Sequence, residues 1–141
     1  MFLISGCSGS RGTQGEICNQ PQELSTLSGS YKSISKVTTN LSGTSITSTL
    51  LELTVDGGGH IRASKSWKSA SGYGHKSDGS KTQGDTELLI GVVKDCEFAL
   101  VEMDESGLLL GKLLNNGNIK MTFVQSGIKP VAYIEELSKA N

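Results

Sequence analysis

The residues that could do acid–base or metal chemistry are few in this sequence and form no recognisable constellation. The two histidines, His60 and His75, have no neighbouring motif that would place a serine or a carboxylate beside them for nucleophilic catalysis. Their spacing from Asp56 and Asp78 gives no signal of a metal site either. We therefore predict that the protein is not an enzyme and holds no metal and no cofactor. We expect His60 to be exposed after a turn.

The three cysteines carry more information than the histidines. No pair among Cys7, Cys18 and Cys96 has the C-x-x-C spacing of zinc-binding or thioredoxin-type sites. The odd count suggests instead that one cysteine is modified and that the other two are paired.

The residues that end in Cys7 resemble the lipobox of bacterial lipoproteins. Ile4-Ser5-Gly6-Cys7 has the aliphatic residue and the two small residues that precede the lipidated cysteine in that family. The resemblance implies lipid on Cys7 and a place in the bacterial cell envelope, in the periplasm or at the outer membrane. Only Met1 to Ile4 precede the small residues, whereas a signal peptide needs roughly 7–15 apolar residues. Either the export signal begins further upstream or the match is chance.

Residues 1–27 are predicted to comprise this truncated signal and a flexible tether, followed by one domain over residues 28–141. The stretch from Ser8 to Glu16 is polar and glycine-rich and shows no periodicity. If Cys7 carries lipid, Cys18 and Cys96 remain as a pair in an oxidising compartment. A disulfide between them would close a loop of about 78 residues and stabilise the fold by on the order of 4 kcal/mol. In a reducing compartment the same two would be buried thiols.

Short strands separated by turn residues must position these side chains. Residues 49–55 and 60–67 alternate in hydrophobicity on either side of the hairpin signal Asp56-Gly57-Gly58-Gly59. Further strands follow between Glu87 and Leu137, and the first ones are apolar on both faces, as in a closed or covered sheet. About eight strands at this spacing predict an all-β antiparallel meander that forms an eight-stranded barrel or sandwich.

Three stretches depart from the alternation. Residues 36–48 are rich in Thr, Ser and Asn and are expected to form a loop or an edge strand. Lys65 interrupts the apolar face of its strand, which predicts a bulge or the open end of a barrel there. Glu102, Asp104 and Glu105 are expected to form a solvated hairpin end.

The start of the first strand resembles the lipocalin signature. Gly29-Ser30-Tyr31 has a glycine, any residue and then an aromatic, where that family has tryptophan. The resemblance implies a lipocalin-like or calycin-like barrel that carries a small apolar ligand. The alternative is that Tyr31 simply plugs one end of a barrel.

Residues 69–85 form the longest stretch without a pattern, and loops of this length are often functional. Ser69-Ala70-Ser71-Gly72, followed by Lys81-Thr82-Gln83-Gly84-Asp85 and by Cys96, resembles the periplasmic and membrane-bound inhibitors of C-type lysozyme. Those are small eight-stranded barrels whose Ser-Ala-Ser-Gly loop enters the lysozyme cleft. The resemblance implies Ser69, Ser71 and Tyr73 as contact residues, and we add His75 from its place in the loop. The family's Trp-x-Lys-Gly-x-Glu-Ala run is broken here.

Composition limits the partners. The net charge is −1 and aromatic residues make up only 5% of the 141 residues, so no basic patch with stacking rings points to a nucleic acid. We expect contact with a membrane only through the lipid on Cys7. The sequence predicts a non-enzymatic binding module of the bacterial envelope that presents loop 69–85 to an unknown protein or a small apolar ligand. Inhibition of C-type lysozyme and lipocalin-like transport are the alternatives.

Overall fold

Antiparallel strands make up 68% of the described chain, which confirms the predicted all-β class. The computed structural model describes residues 18, 21–33, 36–41, 43–72, 74–75 and 80–140. A single turn of 3-10 helix at Leu24–Leu27 comes first. The strands are β1 (Gly29–Lys32), β2 (Lys36–Asn40), β3 (Gly43–Val55), β4 (His60–Ser71), β5 (Gly74–His75), β6 (Lys81–Thr82), β7 (Gly84–Lys94), β8 (Glu97–Glu102), β9 (Leu108–Leu113), β10 (Ile119–Gln125) and β11 (Val131–Lys139).

The main sheet closes on itself and is therefore a barrel rather than a sandwich. Strands β1 and β2 occupy one position, because both pair with β3 on one side and with β11 on the other. The remaining positions are β3, β4, β7, β8, β9, β10 and β11, each paired with its neighbours in chain order. This gives the eight positions of an up-and-down barrel, which leaves no open edge. Strands β5 and β6 form a separate small hairpin.

One half of the barrel interior is filled with apolar side chains. The 3-10 helix closes that end, where the Tyr31 hydroxyl donates a hydrogen bond of 2.7 Å to the carbonyl oxygen of Leu27. Tyr31 therefore lies at the plugged end. Burying each large side chain there stabilises the fold by about 1.5–3 kcal/mol. The buried set in this half includes Leu51, Leu53, Val55, Ile61, Leu89, Val93, Phe98, Leu100, Leu109, Leu113, Ile119, Met121 and Leu137.

The other half of the interior is polar, which corrects three of the expectations above. Residues 36–48 form β2 and the start of β3, because their alternate hydroxyl side chains face inward and bond one another, as in the 2.7 Å contact between Thr38 Oγ1 and Thr47 Oγ1. No bulge occurs at Lys65, which keeps its register with Leu51 on β3 and with Glu87 on β7. The register shift in this pair of strands lies between Ile46 and Thr47 instead.

Glu102 likewise differs from the expected solvated hairpin end. It is buried at the end of β8, where its carboxylate meets Lys65, whereas Asp104 is exposed and Glu105 is half-buried. His60, by contrast, is exposed after its turn as expected, with 76% of its side chain accessible.

A disulfide between Cys18 and Cys96 ties the arm before the barrel to its plugged end. The two Cα atoms are 6.3 Å apart, within the usual range for a disulfide. Cys96 lies in the two-residue turn between β7 and β8, where it and Asp95 both have positive φ, as a tight hairpin requires. Cys7 and its lipobox lie outside the described residues. Within the described part of the chain, no helix has the length and apolar character needed to cross a membrane.

Candidate functional site

The polar half of the barrel contains a small cavity below the β5–β6 hairpin. Its volume is about 40 Å³, which is room for a few water molecules or for the tip of one side chain. Inward-facing residues of β2, β3, β4, β7, β10 and β11 line it. They are Thr38, Asn40, Ser45, Thr47, Lys65, Trp67, Glu87, Phe123, Gln125, Val131 and Tyr133, together with Gly74 and Glu105 near the mouth.

Lys65 is the central charge of this half. Its Nζ donates a hydrogen bond of 2.8 Å to Glu102 Oε1 and lies 2.7 Å from Glu87 Oε2, although not along a well-directed hydrogen bond to that atom. The same ammonium group is 3.7 Å from the centre of the Phe123 ring. Burial alone would lower the pKa of Lys65, but the negative groups around it, among them Glu87 and Glu102, outweigh burial and raise it. Lys65 is therefore a permanent buried cation.

A second buried ion pair joins Lys36 on β2 to Glu135 on the neighbouring strand β11. Lys36 Nζ is 2.8 Å from Glu135 Oε2 and 4.3 Å from the centre of the Tyr133 ring, which stacks on Phe123. Burial lowers the pKa of Lys36, and Glu135 offsets part of that effect. Burial also raises the pKa of the Tyr133 phenol, which keeps it neutral. Two ammonium groups thus lie over two stacked rings.

Glu87 is the buried carboxyl group whose pKa is raised close to neutral pH. The pKa of Glu87 is raised from 4.5 to about 7, chiefly by burial and also by a hydrogen bond with Glu102, while the nearby Lys65 lowers it in part. That hydrogen bond requires a proton on one of the two carboxyl groups. Lys65 is therefore next to two carboxyl groups that are joined by a hydrogen bond.

Buried oxygens without a directed hydrogen bond to the described residues occur in this half of the barrel, on Glu87, Glu102 and Glu135 and on the Tyr133 hydroxyl. Glu135 Oε1 is buried without a hydrogen-bond partner among the described residues, and Glu102 Oε2 has none apart from the proton shared with Glu87. The four carboxyl groups face only three ammonium groups: Glu87, Glu102, Glu105 and Glu135 against Lys36, Lys65 and Lys129.

Three of these carboxylates are close enough to hold a metal ion. Glu87, Glu102 and Glu105 each bring one oxygen to within 4.8 Å of the others. A divalent cation would have to compete with Lys65, which bonds the first two, and with Lys129, which forms an ion pair with Glu105. The arrangement is therefore better suited to ammonium-type groups than to a metal.

The two predicted contact residues that the structure describes, Ser69 and Ser71, lie on the rim of the same end. Ser69 is near the end of β4, and its Oγ lies 2.8 Å from each of the carbonyl oxygens of Ser71 and Gly72, which share its one hydrogen. The Ser-Ala-Ser-Gly segment is therefore a turn held by its own side chain. Ser71 is exposed. Tyr73 and the side chain of His75 lie outside the described residues. Cys18 and Cys96 are at the opposite, plugged end.

The charged residues of the cavity were missed at the level of sequence, although their positions carried a signal. Lys65 has the same parity along β4 as the buried Ile61 and Ala63. Glu87 likewise lies two residues from the buried Leu89 on β7, and Glu102 lies two residues from the buried Leu100 on β8. Because side chains of equal parity share one face of a strand, alternation alone places these charges inside the barrel.

No family model matches the chain, and no curated protein and no solved structure matches it either.

Glu87 gives the site a pH dependence that is measurable as stability. The pKa of its carboxyl group is about 7 in the folded protein against an ordinary value of 4.5, so the folded chain keeps a proton that the unfolded chain has lost. The free energy of unfolding is therefore expected to decrease as the pH rises from 4.5 through 7, by on the order of 3 kcal/mol over the whole window. Urea unfolding at pH values from about 5 to about 8 measures this change.

The matched controls for this prediction are two conservative substitutions. Glu87→Gln removes the titrating group and should flatten the dependence, whereas Glu52→Gln, at an exposed position of β3, should leave it as in the wild type. A wild-type stability that is constant or increases over this window would contradict the raised pKa of Glu87.

Proposed function

We propose that this protein is a non-enzymatic binding module that receives a partner at the polar end of its barrel. The observation that carries the proposal is the cavity at this end, which the carboxyl groups of Glu87 and Glu105 line below the rim on which loop 69–85 begins. Glu87 and Glu105 both line the cavity and keep about a sixth of their side chains accessible, so a group from solvent can reach them. As a further part of the proposal, lipid on Cys7 anchors the module in the bacterial envelope.

The chemistry of the cavity selects the group that it would receive. The carboxyl oxygens of Glu87 and Glu105 accept hydrogen bonds, and a donor that carries a positive charge forms the stronger bond with them. An amine or a guanidinium at the tip of a partner's side chain meets both conditions. A cavity of about 40 Å³ has no room for a whole apolar molecule, and packed side chains fill the other half of the interior. The carrier alternative is therefore the weaker one.

Small cations provide a direct test, because Trp67 lines the cavity and is the only tryptophan in the chain. We expect methylammonium and guanidinium chloride to produce a saturable change in Trp67 fluorescence with a Kd of the order of millimolar. Sodium acetate at equal ionic strength should produce none. Glu87→Gln and Glu105→Gln should each weaken the response, and the exposed Glu52→Gln should not. A response that is absent, or equal in all variants, would reject the proposed site.

A C-type lysozyme serves as the macromolecular probe in the same series of measurements. The alternative function, inhibition of that enzyme, is favoured by the exposed turn at Ser69–Gly72 that Ser69 holds in place. Loss of lytic activity in the presence of the wild-type protein, together with recovery of that activity with Ser71→Asp, would establish this function. If the wild type leaves lysozyme fully active, the inhibitor alternative is wrong.

A further inference from the structure

The outer wall of the barrel is strongly asymmetric. On the β3 and β4 side most of the outward residues are polar or charged, as in Glu52, Thr54, Arg62 and Lys68, and Ile46 and Leu50 are the exposed aliphatic exceptions. From β7 to β11 many of the outward residues are aliphatic and remain accessible, which differs from the covered sheet that the apolar sequence of these strands suggested. The accessible fractions there are 54% for Leu88, 43% for Ile90, 51% for Val92, 45% for Val101, 48% for Leu110, 44% for Val124 and 62% for Ile134.

Such a contiguous wall is a sign of an interaction surface. A soluble monomer rarely exposes an apolar patch larger than a few hundred Å², and patches bordered by polar residues commonly mark protein contacts. Isolated exposed aliphatic residues would need no explanation, but these lie on neighbouring strands. Ile90 is paired with Val101, and Leu110 is flanked by Ala99 and Thr122.

A charged row borders the apolar wall on the side of the plugged end. Glu97 on β8 is paired with Lys112 on β9, and Lys112 is paired in turn with Lys120 on β10. All three side chains are exposed. The strands β8, β9 and β10 therefore present three parallel rows: Glu97, Lys112 and Lys120; then Ala99, Leu110 and Thr122; then Val101, Leu108 and Val124.

We propose that this wall, here called the β8–β10 face, is the interface of a homodimer whose two-fold axis runs along β9. Such an axis places β8 of one copy against β10 of the other, as an isologous contact requires. Glu97 then faces Lys120 of the second copy, and Lys120 faces Glu97 of the second copy. The aliphatic rows meet aliphatic rows at the same height, with Leu110 near the axis.

The charge pattern is what selects a second copy as the partner. The two ends of the charged row, Glu97 and Lys120, have opposite charges. A two-fold axis along β9 reverses the order of the row in the second copy, so each negative end faces a positive end. Lys112 meets its own equivalent near the axis, where both copies of Glu97 are close enough to compensate. A two-fold axis perpendicular to the strands would leave each charged row unpaired at an opposite edge of the contact.

The shape of the wall sets the strength of the contact. The two copies meet along β9 with β8 and β10 on either side, while Val92 and Ile134 lie on the flanking strands β7 and β11. This limits the buried surface to the low end of specific interfaces, below about 1,200 Å² in total. We therefore expect a reversible dimer with a Kd on the order of 10 µM.

Sedimentation velocity on the full chain with its disulfide intact tests the proposal. Between about 1 and about 500 µM the wild type should pass from monomer to dimer. Leu110→Asp should abolish the dimer, and Glu97→Lys should raise the Kd by at least about tenfold, because it places lysines opposite Lys120. The double variant Glu97→Lys with Lys120→Glu restores opposite charges across the axis and should return the Kd to near the wild-type value. Glu52→Lys, on the polar wall, should change nothing.

The outcomes separate this interface from any other mode of association. A wild type that stays monomeric at the highest concentration refutes the proposal, as does a dimer that survives Leu110→Asp with its circular dichroism unchanged. Failure of the double charge reversal to recover what Glu97→Lys loses refutes the axis along β9. None of these outcomes depends on the cavity at the polar end, so this proposal and the proposed function stand or fall separately.

Discussion

Lys65→Met is expected to lower the free energy of unfolding at pH 7 by about 3–5 kcal/mol, because it leaves buried carboxylates without their cation. Lys65 is only 2% accessible and pairs with both Glu87 and Glu102. Methionine has a similar volume, so the loss reflects charge rather than a cavity. Urea unfolding measures the change. Lys68→Met, at an exposed position of the same strand, is the matched control and should shift the stability by less than about 0.5 kcal/mol.

A second set of variants distinguishes the charge argument from a general sensitivity of the position. Combining Lys65→Met with Glu87→Gln and Glu102→Gln removes the uncompensated charges and should recover most of the lost stability, since replacing a whole buried ion pair is often close to neutral. If Lys65→Met costs no more than Lys68→Met, the buried cluster has no energetic role. If the triple variant is as unstable as the single one, the cost lies in packing instead.

The fold could be predicted from the sequence because alternation is a local property. Leu51, Leu53 and Val55 share one face of β3, and a glycine-rich turn leads directly to the return strand at Ile61. Neighbouring strands follow one another in the chain, so each hairpin specifies the next pairing. Closure into a barrel then follows from the need to remove two exposed edges.

The polar cavity could not be predicted in the same way, because it depends on register between strands. Lys65 faces Glu87 only because β4 and β7 pair at that position, and Glu102 reaches both from the far end of β8. In the sequence each of these residues looks like a local interruption of an apolar face. Lys36 and Glu135 lie near opposite ends of the chain and meet only because the barrel closes. Alternation shows that such charges face inward, but it does not show which of them pair with one another.

The two halves of the interior therefore have different roles. The apolar half, with its 3-10 helix and disulfide, supplies most of the hydrophobic stabilisation. The polar half contributes less stability than an apolar filling would, since buried ions must offset their desolvation. A charged cluster beside a cavity is compatible with the binding role that we propose for that end.

Removing the disulfide is the other change with a large expected effect. The double variant Cys18→Ser with Cys96→Ser should lose about 4 kcal/mol of unfolding free energy, because the bond closes a loop with a sequence separation of 78 residues in the unfolded chain. The m-value should increase as well, since the unfolded state becomes less compact. Wild-type protein in a strong thiol reductant should behave like the double variant. Cys7→Ser is the matched control and should leave both the stability and its response to reductant unchanged.

Alkylation in denaturant links this energetic effect to the oxidation state. Of the three cysteines in the chain, Cys18 and Cys96 should resist labelling until reductant is added. Wild-type stability that is the same with and without reductant, in protein that alkylation shows to be oxidised, would contradict the entropic role of the bond. Full labelling of protein purified from an oxidising compartment would contradict the bond itself. Because disulfides persist mainly in exported proteins, that second result would also remove one of the two supports for the proposed place in the envelope.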